Sequence, residues 1–222
     1  MKTLKKVLKM CTDIYNEPGT GYVIKNNTDY CEIKVEDLVC YITFRGTDNK
    51  NGWASNLRFW DRNKNGIMDG FEEGFNAIAE HVISYVDSLN DHYIISAVQC
   101  SGHSRGGALA IKMIKAFWDY RKIYREYDLS CITFGTPRVQ DAEQREIFNR
   151  TPIWCTRVEV PGDPVCDVPL RAMGYRKEGN ILKLKTPWWW NLGTLPIIRA
   201  WKHYPKVYMK AIEYTERRQR RG

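Results

Sequence analysis

Between Ile94 and Val160 the sequence alternates two kinds of segment, and that alternation limits the possible folds more than any other feature. Short runs rich in β-branched, aromatic and cysteine residues (Ile94 to Ser101, Leu129 to Phe134, Ile153 to Val160) are separated by stretches with helical spacing (Gly106 to Tyr120, Gln140 to Phe148). Strand followed by helix followed by strand is the signature of a parallel sheet, because parallel neighbours need a crossover long enough to hold a helix. The fold class expected is therefore α/β, a mostly parallel central sheet with helices on both faces.

The flanking segments extend this picture. Upstream, "GYVIK", "YCEIKV" and "LVCYITFRG" read as three more strands, with Asn26, Asn27 and Asp37 at the turns. Leu4, Val7, Leu8, Cys11 and Ile14 recur at helical spacing, so the chain opens with a short amphipathic helix. Phe71, Phe75, Ile78, Val82, Tyr85 and Leu89 put one apolar stripe on a long helix that Asn90 and Asp91 end. Prolines break the region from Asp163 to Tyr204, where "NILKLK" reads as one more strand, and "HYPKVYMKAIEYTERRQRR" reads as a final helix. With no internal repeat or linker, residues 1–222 are expected to form a single domain; 43% hydrophobic and 27% charged residues are ordinary globular values.

The net charge of +8 comes partly from the ends, Lys2, Lys5, Lys6 and Lys9 at one and Arg217, Arg218, Arg220 and Arg221 at the other. These ends lack interleaved aromatics for base stacking, so nucleic acid is not an expected partner. The seven cysteines form no CxxC pair and several fall in expected strands, which reads as buried free thiols in a reducing compartment. Lysines interrupt the apolar residues of "MKTLKKVLKMCTDIY", leaving no signal-peptide core, and no apolar run approaches transmembrane length. The expected location is the cytoplasm, with the oligomeric state left open.

Chemistry enters at "CSGHSRGGALA", where the strand gives way to the helix at Ser104. "GHSRG" fits G-x-S-x-G, a turn whose small residues lift a serine above the sheet edge; the competing reading is a glycine-rich turn that merely packs helix on strand. A serine hydroxyl needs a base, and in this arrangement the acid and the histidine follow the serine in the chain. Of four histidines, His81, His92 and His103 precede Ser104 and only His203 follows, which identifies the base by elimination. Asp119, Asp128, Asp141, Asp163 and Asp167 are the candidate aspartates between them. Asp163 directly follows a strand, the position from which a carboxylate reaches the sheet's carboxyl edge, and Asp167 is the alternative. Oxyanion donors are expected from the N–H of Arg105 and from the strand end at Gly46 and Thr47.

These motifs resemble a known family. In order, "TFRGTDNKNGWASNL", "DGFEEGF", "CSGHSRGGALA", "TFGTPRV", "RVEVPGDPVCDVP" and "HYPKVY" look like those of the class 3 lipases, which include fungal triacylglycerol lipases and plant plastid phospholipases. The resemblance runs from about Val39 to Tyr208. It implies an α/β-hydrolase fold, a catalytic triad of Ser104, Asp163 and His203, an oxyanion hole from Thr47 and Arg105, and hydrolysis of acyl esters of acylglycerols or phospholipids. Arg105 stands where the family usually has leucine, and Met68 replaces a usual histidine; the segment Leu57 to Ile67, in the place of a lid, is short and charged.

Two further features bear on partners. "DRNKNGIMDGFE" fits the calcium-loop template, with Asp61, Asn63, Asn65, Asp69 and Glu72 as oxygen ligands and Gly66 at the turn. Two central ligands are neutral asparagines, so a polar loop without cofactor is expected and calcium is the alternative. "TPWWWNLGTLPIIRAW" sets tryptophans beside Lys183, Lys185, Arg199 and Lys202, which suits either peripheral contact with an anionic membrane or an acyl pocket. A small-ester esterase or acyltransferase is the neighbouring reading, and a catalytically silent lipid-binding module is the alternative of a different class.

Overall fold

Among the described residues, seven strands form one sheet whose spatial order is their order along the chain. A computed structural model of the chain describes residues 1–15, 20–25, 30–46, 69–89, 95–121, 127–191 and 196–220. The strands are β1 (Tyr22–Lys25), β2 (Tyr30–Glu36), β3 (Val39–Phe44), β4 (Ala97–His103), β5 (Asp128–Phe134), β6 (Trp154–Glu159) and β7 (Asn180–Lys183). Helix α1 (Lys2–Asp13) precedes them, α2 (Asp69–Leu89), α3 (Arg105–Arg121) and α4 (Ala142–Asn149) connect β3 to β6, and α5 (Pro205–Gln219) follows. β1, β2 and β3 pair antiparallel, and β3 to β7 pair parallel throughout.

Strand order decides which helix covers which face. A right-handed crossover places its helix on a fixed side of the sheet, and here every parallel crossover advances in the same direction. Residues of α2 (Val82, Val86), α3 (Leu109, Ile114, Phe117) and α4 (Phe148) accordingly share one apolar cluster with Cys40, Ile42, Cys100, Cys131 and Cys155 of the strands. The crossovers leave the other face bare, so helices from outside the crossover series must cover it. Leu4, Val7, Leu8 and Cys11 of α1 and Tyr208, Ala211 and Ile212 of α5 close it over Ile132, Phe134 and Val158. Each such aliphatic side chain contributes about 1.5–3 kcal/mol on burial. The expected two-sided cover is present, but one side is built from the two ends of the chain.

Local chemistry fits these elements. Asp37 and Leu38 both have positive φ, 51° and 64°, which makes the two-residue turn that joins β2 to β3. β4 runs past the expected end at Ser101 to His103, because Gly102 still pairs with Phe44, and His103 with Phe134. Asp141 caps α4, accepting the Gln144 N–H at 2.9 Å, so that helix starts after Gln140 rather than at it. All seven cysteines are buried and free. No helix among the described residues is long and apolar enough to cross a membrane.

A buried cation in β6 joins two of the loops beside it. Arg157 of β6 is 1% exposed; it is ion-paired with Glu178 and donates to the carbonyls of Thr136 at 2.5 Å and Pro137 at 2.9 Å. Lys177 reaches Glu159 at 2.9 Å and Asp167 at 3.3 Å, and Arg138 reaches Asp167 at 2.9 Å. Removing one partner of a buried pair leaves a charge without its counter-ion, which typically costs about 3–5 kcal/mol. Glu178→Ala is therefore expected to lower unfolding stability by roughly that amount in urea titrations, whereas Asp167→Asn, at an exposed pair, should change it by about 1 kcal/mol or less.

Candidate active site

β4 ends at His103 and α3 begins at Arg105, which leaves Ser104 by itself at the turn, with φ of 58°. That left-handed conformation is strained for a residue with a Cβ, by about 1–3 kcal/mol, and persists only where surrounding contacts impose it. Here the Ser104 N–H donates to the Phe134 carbonyl at 2.9 Å, and the Gly107 N–H donates to the Ser104 carbonyl at 3.0 Å. Two glycines let strand and helix approach so closely. A Cβ on Gly102 would collide with the backbone of Gly106, and one on Gly106 would strike the Phe44 carbonyl. The glycines of "GHSRGG" thus have a steric cause.

The structure separates the two candidate acids. The Asp163 side chain is fully buried beyond the end of β6, with three donors around it. The Val165 N–H donates to Oδ1 at 2.9 Å, while Tyr208 Oη and His203 Nδ1 lie 2.6 Å and 3.0 Å from Oδ2. Burial works against its ionisation, but the His203 charge and these hydrogen bonds outweigh burial and hold the carboxyl below its usual range. Asp167 is 65% exposed and pairs with Arg138 and Lys177 instead. Gly135, at φ of 58°, makes room for the buried pair, since a Cβ there would lie 3.0 Å from both Asp163 Oδ2 and His203 Nδ1.

His203 ends a 3-10 segment, Pro196–His203, so no strand or α-helix sets its position. Its neighbours do. Lys202 is fully buried, and its ammonium donates to the Pro161 carbonyl at 2.9 Å, two residues before Asp163. Burial and Arg199 lower its pKa, and Asp163 opposes them. His103 approaches from the serine turn, with Nε2 2.7 Å from the His203 carbonyl; a carbonyl only accepts, so the ring carries its proton on Nε2. The two imidazole centroids are 4.5 Å apart. Burial, and then the neighbouring His203, push the His103 pKa down to about 3, which leaves the ring neutral.

Ser104, Asp163 and His203 therefore converge on the end of β5, the serine through Phe134 and the acid–histidine pair around Gly135. Arg105 follows the serine directly and is the first residue of α3. Thr47 lies outside the described residues, but the end of β3 leads toward the serine: a Cβ on Gly46 would lie 3.4 Å from Ser104 Cβ. Asp61, Asn63, Asn65, Gly66, Met68 and the segment from Leu57 to Ile67 also lie outside, and Asp69 and Glu72 are described only as backbone of α2. Sequence reasoning missed His103, Lys202, Tyr208 and Gly135 as supports of the pair. His103 and Gly135 do sit inside recognisable motifs, "GHSRG" and "TFGTP"; nothing local marks Lys202.

The family model described as Lipase (class 3) matches residues 41–173, more than half of the chain. Solved structures with a similar backbone include Rhizomucor miehei triacylglyceride lipase, at TM-score 0.74 and 21% identity over 82% of this chain and 79% of that one. A lipase from Rhizopus microsporus var. chinensis matches at TM-score 0.68 and 25% identity, over 82% of this chain and 66% of that one. A triacylglycerol lipase whose catalytic centre is a serine protease triad matches at TM-score 0.72 and 20% identity, over 83% and 80%. The fold is the α/β-hydrolase fold that the motifs implied.

His103 makes stability depend on pH in a direction that can be worked out. Its pKa is about 3 when folded and about 6.5 when unfolded, so between these values the unfolded chain binds the extra proton. The stabilisation is complete above the unfolded value and is lost as the pH falls toward the folded one. Between about pH 7 and about pH 5 this residue should remove roughly 2 kcal/mol of stability. Urea unfolding of the protein and of His103→Asn at both pH values should show a drop smaller by that amount in the variant.

Proposed function

This chain belongs to the class 3 lipase family, a family of lipid-ester hydrolases, and from that premise we propose that it is a serine carboxyl-ester hydrolase cleaving the acyl esters of acylglycerols or phospholipids. The observation that carries the reading is the buried Asp163 paired with His203 at 3.0 Å, beside a serine held at a strained strand-to-helix turn. In the proposed reaction His203 Nε2 takes the Ser104 hydroxyl proton as Oγ attacks the ester carbonyl. The oxyanion is stabilised by the Arg105 N–H and by Thr47. Collapse of the tetrahedral intermediate breaks the ester C–O bond, and the leaving alcohol takes the proton from His203. Water then attacks the acyl-enzyme, with His203 again as base, and the fatty acid leaves. Asp163 keeps its charge throughout, orienting the imidazole and stabilising the imidazolium.

Arg105 puts a cation at the position after the nucleophile, which favours esters whose head group or surface is anionic; peripheral contact with an anionic membrane is part of the proposal. No cofactor is required.

Ser104→Ala and His203→Ala are each expected to lower turnover about 10⁴–10⁶-fold while the protein stays folded. Asp163→Asn should be severe and Asp167→Asn mild; the reverse order would move the acid. A fluorophosphonate probe should label the protein at Ser104 and leave Ser104→Ala unlabelled, and absence of labelling would turn the reading into a silent lipid-binding module. Calcium should leave the melting temperature unchanged; a saturable rise abolished by Glu72→Gln would assign the Asp61 to Glu72 loop to the ion.

A further inference from the structure

The segment that carries His203 alternates in what it exposes. Within four consecutive residues, Trp201 and Tyr204 are 37% and 51% exposed, whereas Lys202 is fully buried and His203 largely so. Working side chains point in and aromatic rings point out. A second 3-10 turn, Trp188–Asn191, adds Trp188 and Trp189 at 71% and 54% exposure, their rings in edge contact at 6.0 Å. Trp190 and Trp201 meet edge-on at 5.2 Å, which holds the two turns side by side. The two aromatic turns therefore lie together, and one of them supplies the histidine.

Basic residues accompany these rings along the chain. Lys183, Lys185 and Lys206 are exposed, Arg199 is half-buried in the same segment, and the Lys206 ammonium lies 5.9 Å from the Tyr204 ring centroid. Exposed tryptophan is costly in water but suits the boundary between head groups and acyl chains, where its ring is buried and its N–H stays hydrated. Lysines and arginines at the same level are attracted to anionic lipid, and the chain as a whole carries +8. A second protein could cover the rings, but the pairing of partly exposed aromatics with basic residues on the same segments matches an anionic lipid surface.

We propose that Trp188, Trp189, Trp201 and Tyr204, with Lys185 and Lys206, are the surface by which this protein docks on an anionic phospholipid membrane. The inference rests on the lipid-ester reading for its substrate and goes beyond it by naming the face that meets the bilayer. Docking there sets the membrane against the residues next to His203, so an ester leaving the bilayer has a short path to the serine.

The test uses the Ser104→Ala protein, so that turnover does not alter the lipid, and co-sedimentation with vesicles of phosphatidylcholine alone or mixed with phosphatidylglycerol. Binding is expected to the mixed vesicles, weaker with added salt and at least about tenfold weaker after Trp188→Ala with Trp189→Ala. Lys185→Gln with Lys206→Gln, at exposed positions that leave folding intact, should weaken it by about tenfold or more. In the otherwise unmodified enzyme neither pair should change hydrolysis of a water-soluble short-chain ester more than about twofold, because none of these four side chains holds Ser104, Asp163 or His203. Equal binding to both vesicle types, no binding, or binding indifferent to both pairs of substitutions overturns the proposal. So does a stable dimer in sedimentation velocity that the tryptophan pair dissociates. Vesicle binding by a protein that hydrolyses no ester would leave the docking surface standing and overturn the hydrolase reading alone.

Discussion

The position of His203 depends on a set of contacts that link otherwise separate parts of the chain. Lacking a strand or an α-helix of its own, the residue is fixed by three hydrogen bonds: its ring to Asp163, the adjoining Lys202 ammonium to Pro161, and its carbonyl to His103. The bonds end on two supports. Asp163 and Pro161 belong to the loop after β6, and His103 is the last residue of β4. Orientation of the imidazole is thereby tied to the same sheet that strains Ser104. A misplacement of about 1 Å in such a group can cost on the order of a hundredfold in rate, so anchoring at backbone, side chain and neighbouring residue is proportionate to the task.

The loops are anchored in turn. Arg157 draws the segment after β5 toward the one before β7, while Lys177 and Arg138 bring Asp167 into the same cluster. Asp167 thus supports the loop whose first acid, Asp163, turns inward. The two aspartates are four residues apart but serve different ends: one is desolvated and surrounded by donors, the other is solvated and ion-paired. Environment, not residue type, separates them.

Much of this was legible in the sequence for specific reasons. The Ser104 turn could be read because period-two and period-3.6 patterns meet there, and His203 because no other histidine follows it. The helical ends could be read from spacing alone. Asp163 was preferred to Asp167 only for following a strand directly, since both sit in "GDPVCD" and tertiary contacts decide which is buried. Lys202 read as one of several surface cations; its burial follows from Gly162, whose missing Cβ leaves room for the ammonium at 2.9 Å. His103 precedes the serine and so does not read as the base, and its bond to the His203 carbonyl spans a hundred positions and leaves no local pattern.

The two-ended cover on one sheet face has a consequence in time. During synthesis α1 leaves the ribosome long before α5, with which it closes the face over Ile132, Phe134 and Val158. Until then the apolar side of a growing parallel sheet lacks half its roof, the condition in which nascent chains are most exposed to aggregation. Tyr208 belongs to that late helix and also donates to Asp163, so the event that seals the core is the one that completes the acid's hydrogen bonds. On the proposed reading, a chain without α5 would carry a serine turn without the machinery to use it, and competence to act on lipid would arrive together with burial of that hydrophobic surface.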